Sequence, residues 1–210
     1  MNQQANNGSG APPEAIYIIR HGEKPADPEP SGHGKSADAP FGVDLEGKQS
    51  PHSLVPRGWQ RAGGLVALFD PASGAAKSGL QTPTVLLSPV HGGPGKNAGH
   101  RTYQTIEALG SRLGITIDSA FAVGQEPQLA ASVVNDHAGV VLICWEHDHI
   151  PSLASSLPAV AGTVIPQAWP GDCFDVIWAF TLASGTPAQY AFGQIPQQLL
   201  SGDADTVIQP

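Results

Sequence analysis

The segment AIYIIRHG at residues 15–22 decides how the fold is interpreted, because a short apolar run ends at once in two polar residues, Arg20 and His21. Its apolar side chains do not alternate with polar ones, which is typical of a strand buried on both faces of a sheet. Gly22 then supplies a turn residue. We therefore predict a buried strand whose carboxyl end presents Arg20 and His21.

Two later runs repeat this pattern, TVLLSP at 84–89 and GVVLICWE at 139–146, and the second leads straight into His147. Apolar residues spaced three and four apart predict three helices: one from about Pro56 to Asp70, one with Arg101 in its first turn, and one after Pro127. These elements follow one another as strand, helix, strand, helix. They predict an α/β fold with a mainly parallel sheet covered by helices on both faces.

The end of the chain predicts one more helix and two more strands. Asp148 is expected to cap a short helix that carries Pro151 in its first turn. CFDVIWAFTL at 173–182 and AQYAFGQI at 188–195 alternate well enough for two strands. A hairpin turned at Ser184 and Gly185 would join them.

The chain has 210 residues, of which 40% are hydrophobic, so we expect a single domain. Residues 1–14 are polar and lack periodicity, which predicts a disordered tail before a domain at 15–210. Residues 24–56 are rich in Pro, Gly, Ser and Asp and are too long for an ordinary connection. They form either a lid over the site or a mobile surface insertion.

Composition excludes several classes of partner. The formal net charge is −8, with ten Lys and Arg in total, which argues against a surface for nucleic acid or anionic membrane. No run approaches the roughly 18 apolar residues of a membrane span, and the polar start does not resemble a secretory signal. We expect a cytoplasmic protein. Two cysteines give no disulfide framework, although a single bridge stays open.

Several side chains converge on one place in the predicted fold. Ligands of open α/β sheets bind outside the carboxyl ends of the strands, where both His21 and His147 fall. The helix amino-termini near Arg101 and Asp148 would add partial positive charge and N–H groups. These features predict a pocket for a small anion.

Competing motifs are weaker. HGKS at 33–36 and GKN at 95–97 resemble phosphate-loop fragments, but Glu29 and Val90 replace the required first glycine. No Gly-x-Ser-x-Gly elbow is present, and neither cysteine has an arginine six positions on. A metal site is the more serious rival, with His147 and His149 as ligands. The third ligand would be His21, His91 or His100, but no spacing fixes it, and we predict neither a metal nor another cofactor.

Four motifs, in this order, resemble the histidine phosphatase superfamily, which is also called phosphoglycerate-mutase-like: IYIIRHGEKP, LVPRGWQRAG, LLSP with HRTYQT, and LICWEHDHIP. The likeness runs from Ala15 to about Leu157. It implies a three-layer α/β/α sandwich in which Arg20, His21, Arg101 and His147 hold the phosphoryl group.

The resemblance implies a phosphatase that hydrolyses a small phosphomonoester through a phosphohistidine on His21. A neutral imidazole can attack phosphorus while its other nitrogen is held by a hydrogen bond. Two arginines would neutralise the equatorial oxygens, and His147 would donate a further hydrogen bond. A protein-phosphohistidine phosphatase, a mutase-like phosphotransferase and a catalytically silent phospholigand-binding protein remain alternatives.

The remaining site residues are assigned less directly. Asp148 is the favoured general acid, because His147 and Asp148 resemble the His-Asp pair of the acid-phosphatase branch; Glu126 and Glu146 are alternatives. Lys24 lies where that branch carries a second arginine. Of Arg57 and Arg61, one is expected at the pocket entrance and the other in solvent. We count Lys24, Arg57 and Glu126 as substrate-binding candidates.

Overall fold

A computed structural model of the chain describes residues 10–25, 40–74, 76–91 and 100–210. The helices and strands predicted from the sequence are present in these residues. In chain order they are β1 Ala15–Arg20, α1 Pro56–Phe69, β2 Val85–Leu87, α2 His100–Leu113, α3 Glu126–Asp136, β3 Val140–Trp145, a 3₁₀ turn His147–His149, α4 Ile150–Ser155, β4 Val176–Gly185 and β5 Ala188–Pro196.

The strands form one five-stranded sheet in the order β2-β3-β1-β4-β5. β2, β3 and β1 are parallel, whereas β4 is antiparallel to both β1 and β5. The sheet is therefore mixed, with two parallel and two antiparallel pairs, and the prediction of a mainly parallel sheet is not confirmed. β4 runs opposite to β1, and the tight turn that joins β4 to β5 makes this second pair antiparallel as well. That turn lies at Thr186 and Pro187, two residues beyond the position predicted for it.

Each face of the sheet carries its own apolar cluster. Side chains alternate between the faces of a strand, so Tyr17 and Ile19 of β1 point one way and Ile16 and Ile18 the other. The first pair packs with buried residues of α1 and α2. The second pair packs with α3 and α4. Each cluster thus combines residues of the strands with residues of two helices.

The folded unit begins before Ala15. Pro13 is buried, and its carbonyl accepts a hydrogen bond from the Tyr190 hydroxyl at 3.1 Å. The Glu14 N–H donates to the Gly139 carbonyl at 2.7 Å, and the Glu14 carbonyl accepts from the Leu182 N–H at 2.9 Å. The last residues of the predicted tail are therefore tied to the sheet, while residues 1–9 lie outside the described residues.

The proposed lid lies partly outside the described residues, which omit 26–39. Its final part packs onto the domain, because Leu54 is fully buried and its N–H donates to Gln104 of α2 at 3.1 Å. The Val55 N–H donates to the Glu23 carbonyl at 3.0 Å. The end of this segment is therefore fixed beside the residues that follow β1.

Two further sequence expectations can be compared with the structure. None of the described helices combines the length and apolar character that crossing a bilayer requires. Cys144 and Cys173 are both free thiols.

The segment after β1 crosses α1 at a glycine, and this crossing predicts a difference between two substitutions. A Cβ added at Gly58 would lie 2.5 Å from the carbonyl oxygen of Glu23 and 2.9 Å from the backbone nitrogen of Glu23. A Cβ added at Gly63 would meet nothing within 4 Å. We expect Gly58→Ala to lower the free energy of unfolding by roughly 1–3 kcal/mol, because backbone must move. Gly63→Ala should raise it by up to about 1 kcal/mol. Denaturant unfolding of both variants checks this, and equal effects would contradict the close approach.

Candidate functional site

The carboxyl ends of β1 and β3 place two histidines side by side. Arg20 pairs with Trp145 in the parallel register, so both strands end at the same edge of the sheet. The rings of His21 and His147 then face each other edge-on, with centroids 6.1 Å apart. The strand-end positions of the two histidines, and their meeting, agree with the sequence prediction.

His21 is held as a neutral imidazole with one defined tautomer. It is only 4% exposed, and its Nδ1 lies 2.7 Å from the Gly22 carbonyl oxygen. A carbonyl can only accept, so Nδ1 carries the proton and Nε2 carries the lone pair. Burial, reinforced by the positive charge of Arg20, lowers the His21 pKa to about 3. The ring is therefore uncharged at neutral pH and can act as a nucleophile.

Arg20 is a buried cation with donors still available. Its Nη1 donates to three carbonyl oxygens, those of Pro170, Gly171 and Cys173, at 2.9–3.1 Å, and its guanidinium carbon lies 3.8 Å from the centre of the Phe174 ring. Its Nε and Nη2 are buried and make no hydrogen bond within the described residues. Buried N–H groups without acceptors cost about 1–3 kcal/mol each. A bound anion would satisfy them.

Arg101 occupies the first turn of α2 beside the end of β1. The Thr105 hydroxyl connects the two elements, since it donates to the Arg101 carbonyl at 2.7 Å and accepts from the Gly22 N–H at 2.8 Å. The Arg101 guanidinium donates to the Pro51 carbonyl at 3.0 Å and contributes to the lowered pKa of His21. The amino-terminus of α2 thus brings a second cation within electrostatic range of His21.

His147 has a carboxylate near each ring nitrogen. Its Nδ1 lies 2.6 Å from Glu146 Oε1, and its Nε2 lies 3.6 Å from Asp148 Oδ1. Asp148 is 75% exposed and does not cap α4, which corrects the predicted capping role. Instead, Glu146 caps the 3₁₀ turn by accepting from the Asp148 N–H at 2.9 Å. This extra turn makes His149 the N-cap of α4, and the Asp148 carboxylate stays in solvent beside His147.

Glu126 has a structural role in place of the predicted ones. Its side chain is 4% exposed, and Oε1 accepts from Trp145 Nε1 at 3.0 Å and from the Gly124 N–H at 2.9 Å. His149 Nδ1 lies 3.2 Å from the same oxygen. Burial acts to raise the Glu126 pKa, but these hydrogen bonds lower it overall. A buried, ionised carboxylate committed to Trp145 is a poor general acid and a poor substrate ligand.

Arg57 and Arg61 are not divided between pocket and solvent, because both contact the same two carboxylates. Arg61, 2% exposed, donates to Glu23 and to Asp203, with the shortest distance to each at 2.8 Å. Arg57 donates to Glu23 Oε1 at 3.0 Å and lies 3.3 Å from Asp203. Glu23 lies two residues after His21, so this network fixes the segment after β1. Arg57 therefore has this structural role in place of the predicted substrate-binding role. Lys24 directly follows Glu23 and is half-buried.

This network predicts a pH-dependent loss of stability in Asp203→Asn. Burial acts to raise the Asp203 pKa, but hydrogen bonds from Arg61, Leu200 and Leu199 lower it to about 2, from the ordinary 3.8. The carboxylate therefore contributes stability above about pH 4, and this contribution disappears as the pH falls through 2. We expect the variant to lose about 3 kcal/mol of unfolding free energy at pH 7, because Arg61 would keep a buried charge with one partner fewer.

The measurement is denaturant unfolding of wild type and variant from pH 7 to pH 2, with the exposed residue Asp205 changed to Asn as the matched control. The gap between wild type and Asp203→Asn should narrow below pH 4, while Asp205→Asn should follow wild type throughout. A gap that stays constant to pH 2 would contradict the ion network.

Sequence reasoning missed the supports of Arg20. Residues 170–174 form a loop some way after α4 in the sequence. This loop supplies the three carbonyls around Nη1 and the ring of Phe174. A backbone carbonyl has no residue signature, so no motif could have indicated it. Thr105 was visible only as part of the HRTYQT segment, four residues after Arg101 on the same helix face.

The histidines considered for a metal site separate into two groups. His149 contacts Glu126, and the ring of His91 stacks on Tyr103 with centroids 3.9 Å apart. His100 Nε2 lies 3.0 Å from Gln104 Nε2. Among the described residues, the group with metal-ligand geometry is His21, Glu146 and His147, each with one ligand atom within 4.8 Å of the others.

Comparison with known proteins adds no family assignment. No protein-family model matches this sequence, and no curated protein matches it. The arrangement of His21, Arg20, Arg101 and His147 is therefore the basis on which a function can be proposed.

Proposed function

We propose that this protein is a phosphatase that hydrolyses a small phosphomonoester through a phosphohistidine on His21. One observation carries the proposal: a buried, neutral imidazole with its Nδ1 committed to the Gly22 carbonyl lies within electrostatic range of Arg20, whose buried Nε and Nη2 make no hydrogen bond in the described residues. A nucleophilic nitrogen beside unsatisfied cationic donors fits a tetrahedral anion with an electrophilic centre.

The chemistry divides into two displacements. Nε2 of His21 attacks phosphorus, the Nε2–P bond forms, and the bond from phosphorus to the ester oxygen breaks. Arg20 and Arg101 neutralise the equatorial oxygens, and in this complex His147 donates from Nε2 while Nδ1 donates to Glu146. Water then attacks the phosphohistidine, which releases inorganic phosphate and restores the imidazole.

Asp148 is the carboxyl group best suited to protonate the leaving oxygen. Both oxygens of Glu146 are engaged, one by His147 and one by the Asp148 N–H. Glu126 is committed to Trp145. The Asp148 side chain is exposed and lies within 3.6 Å of His147, so it can reach a substrate bound there.

This assignment predicts that the effect of Asp148→Asn depends on the leaving group. An alkoxide needs a proton as the bond to phosphorus breaks, whereas 4-nitrophenolate is stable without one. We expect kcat for an alkyl phosphate to fall about 100-fold in the variant. With 4-nitrophenyl phosphate the decrease should be within about tenfold. Steady-state kinetics with both substrates checks this, and equal losses would assign Asp148 a positioning role instead.

We also propose a three-layer α/β/α fold and a small metabolite as the substrate. The three-layer α/β/α arrangement is supported by the two apolar clusters, one with α1 and α2 and the other with α3 and α4. A small metabolite as substrate, in place of a nucleic acid, is supported by a net charge of −8.

A substrate panel tests the function directly. Wild type is assayed with alkyl, aryl and sugar phosphomonoesters in the presence of a strong chelator, and phosphate release is measured. Turnover of at least one ester with chelator present is the expected result. Binding of phosphoesters without any turnover would favour the catalytically silent ligand-binding alternative and would overturn the proposal.

A further inference from the structure

We infer that His21, Glu146 and His147 also form a binding site for a divalent zinc ion, which would exclude the substrate from the pocket. The three side chains each offer one ligand atom, and these atoms lie within 4.8 Å of one another. Ligands of a tetrahedral zinc ion are about 3.4 Å apart, so rotations of roughly 1 Å would bring them into place. Two imidazoles and a carboxylate suit zinc well.

The surroundings of His21 favour a role as ligand. Metal-bound histidines commonly donate their other ring N–H to a carbonyl or carboxylate, which fixes the tautomer. The Gly22 carbonyl already accepts from Nδ1 of His21 at 2.7 Å, which directs Nε2 to the ligand.

The charges around the pocket are mixed in sign. Arg20 and Arg101 oppose a cation, and both act on His21. Three carboxylates, those of Glu146, Asp148 and Glu23, act on Arg20 with negative charge. These carboxylates therefore offset part of the positive charge that a zinc ion bound to Glu146 would meet. The fourth ligand position of the ion stays open for water.

Zinc and substrate would compete, because both need Nε2 of His21. A phosphoryl group requires the lone pair of this nitrogen for attack, and zinc requires the same pair for coordination. The competition rests on the proposed function, whereas the metal site itself does not. Zinc would act as a reversible inhibitor of the phosphatase.

Zinc titration of the chelator-treated full chain tests the site without any phosphoester. Calorimetry should show one strong site per chain, and cobalt in its place should give the visible absorption of a four- or five-coordinate ion. His21→Asn and Glu146→Gln should each weaken zinc binding at least about tenfold. His149→Asn, two residues from His147 but directed to Glu126, should bind like wild type. Since Glu146 lies at the surface, its variant reports on the site even if His21→Asn does not fold.

Three results would overturn parts of this inference. Unchanged zinc binding in Glu146→Gln, or equal weakening in His149→Asn, would place the ion elsewhere and refute the site. Zinc binding that orthovanadate does not weaken would refute the competition and would count against the phosphoryl pocket. Turnover with no zinc binding would refute the metal site and leave the proposed function intact.

Discussion

Replacement of His21 by alanine is expected to lower kcat at least about 10⁴-fold, because no other group could form the covalent intermediate. His147 cannot substitute, since its Nδ1 lies 2.6 Å from Glu146 and the cations that would hold the phosphoryl group surround His21. Substrate affinity should change much less, because Arg20 and Arg101 are kept. Steady-state kinetics and a direct binding measurement with a slow substrate separate the two effects.

The matched control for this variant is His149→Ala. His149 lies in the same 3₁₀ turn as His147 but contacts Glu126, so its loss should change kcat little. The far-ultraviolet spectrum of each variant establishes that it is folded. Activity of His21→Ala within tenfold of wild type would contradict a nucleophilic role for this residue.

Replacement of Arg20 by lysine should lower kcat/KM about 10³-fold while keeping the positive charge. Lysine can still donate to the carbonyls around Nη1, but it cannot supply the Nε and Nη2 donors that Arg20 keeps buried without partners in the described residues. Without the planar pair of N–H donors on Nε and Nη2, the oxygens of the phosphoryl group are less stabilised during its transfer. Most of the decrease should therefore appear in kcat.

Arg112→Lys provides the control for this substitution. Arg112 is 52% exposed and donates to Asp70 at 2.7 Å, far in sequence from the strand ends. It should have wild-type kinetics. A loss in Arg20→Lys confined to unfolding temperature, with kcat/KM unchanged, would assign Arg20 to the folding of residues 170–174 and would leave the pocket without its main cation.

The central part of this fold could be predicted from sequence because the responsible signals are local. AIYIIR at 15–20 and VVLICW at 140–145 are uninterrupted apolar runs, and each has one compatible role as a buried strand. Parallel strands that end together necessarily bring the next residues to one edge. For this reason the sequence alone predicts that His21 and His147 lie at the same edge, where their ring centroids are 6.1 Å apart.

Other parts of the site depend on contacts that sequence periodicity does not contain. β4 pairs antiparallel with β1, and the apolar pattern of a strand does not indicate its direction in the sheet. Asp203 contacts Arg61 across 142 residues. The sequence offers Glu126 as an alternative general acid, but the indole of Trp145 holds its carboxylate inside.

Trapping of the intermediate tests the central claim most directly. Wild type is mixed briefly with a labelled phosphomonoester, quenched in base and digested, and the modified peptide is identified by mass spectrometry. The account predicts an acid-labile phosphate on Nε2 of His21, because Nδ1 is committed to the Gly22 carbonyl. Turnover that proceeds with the label on another residue, or with none on residue 21 at any quench time, would contradict it.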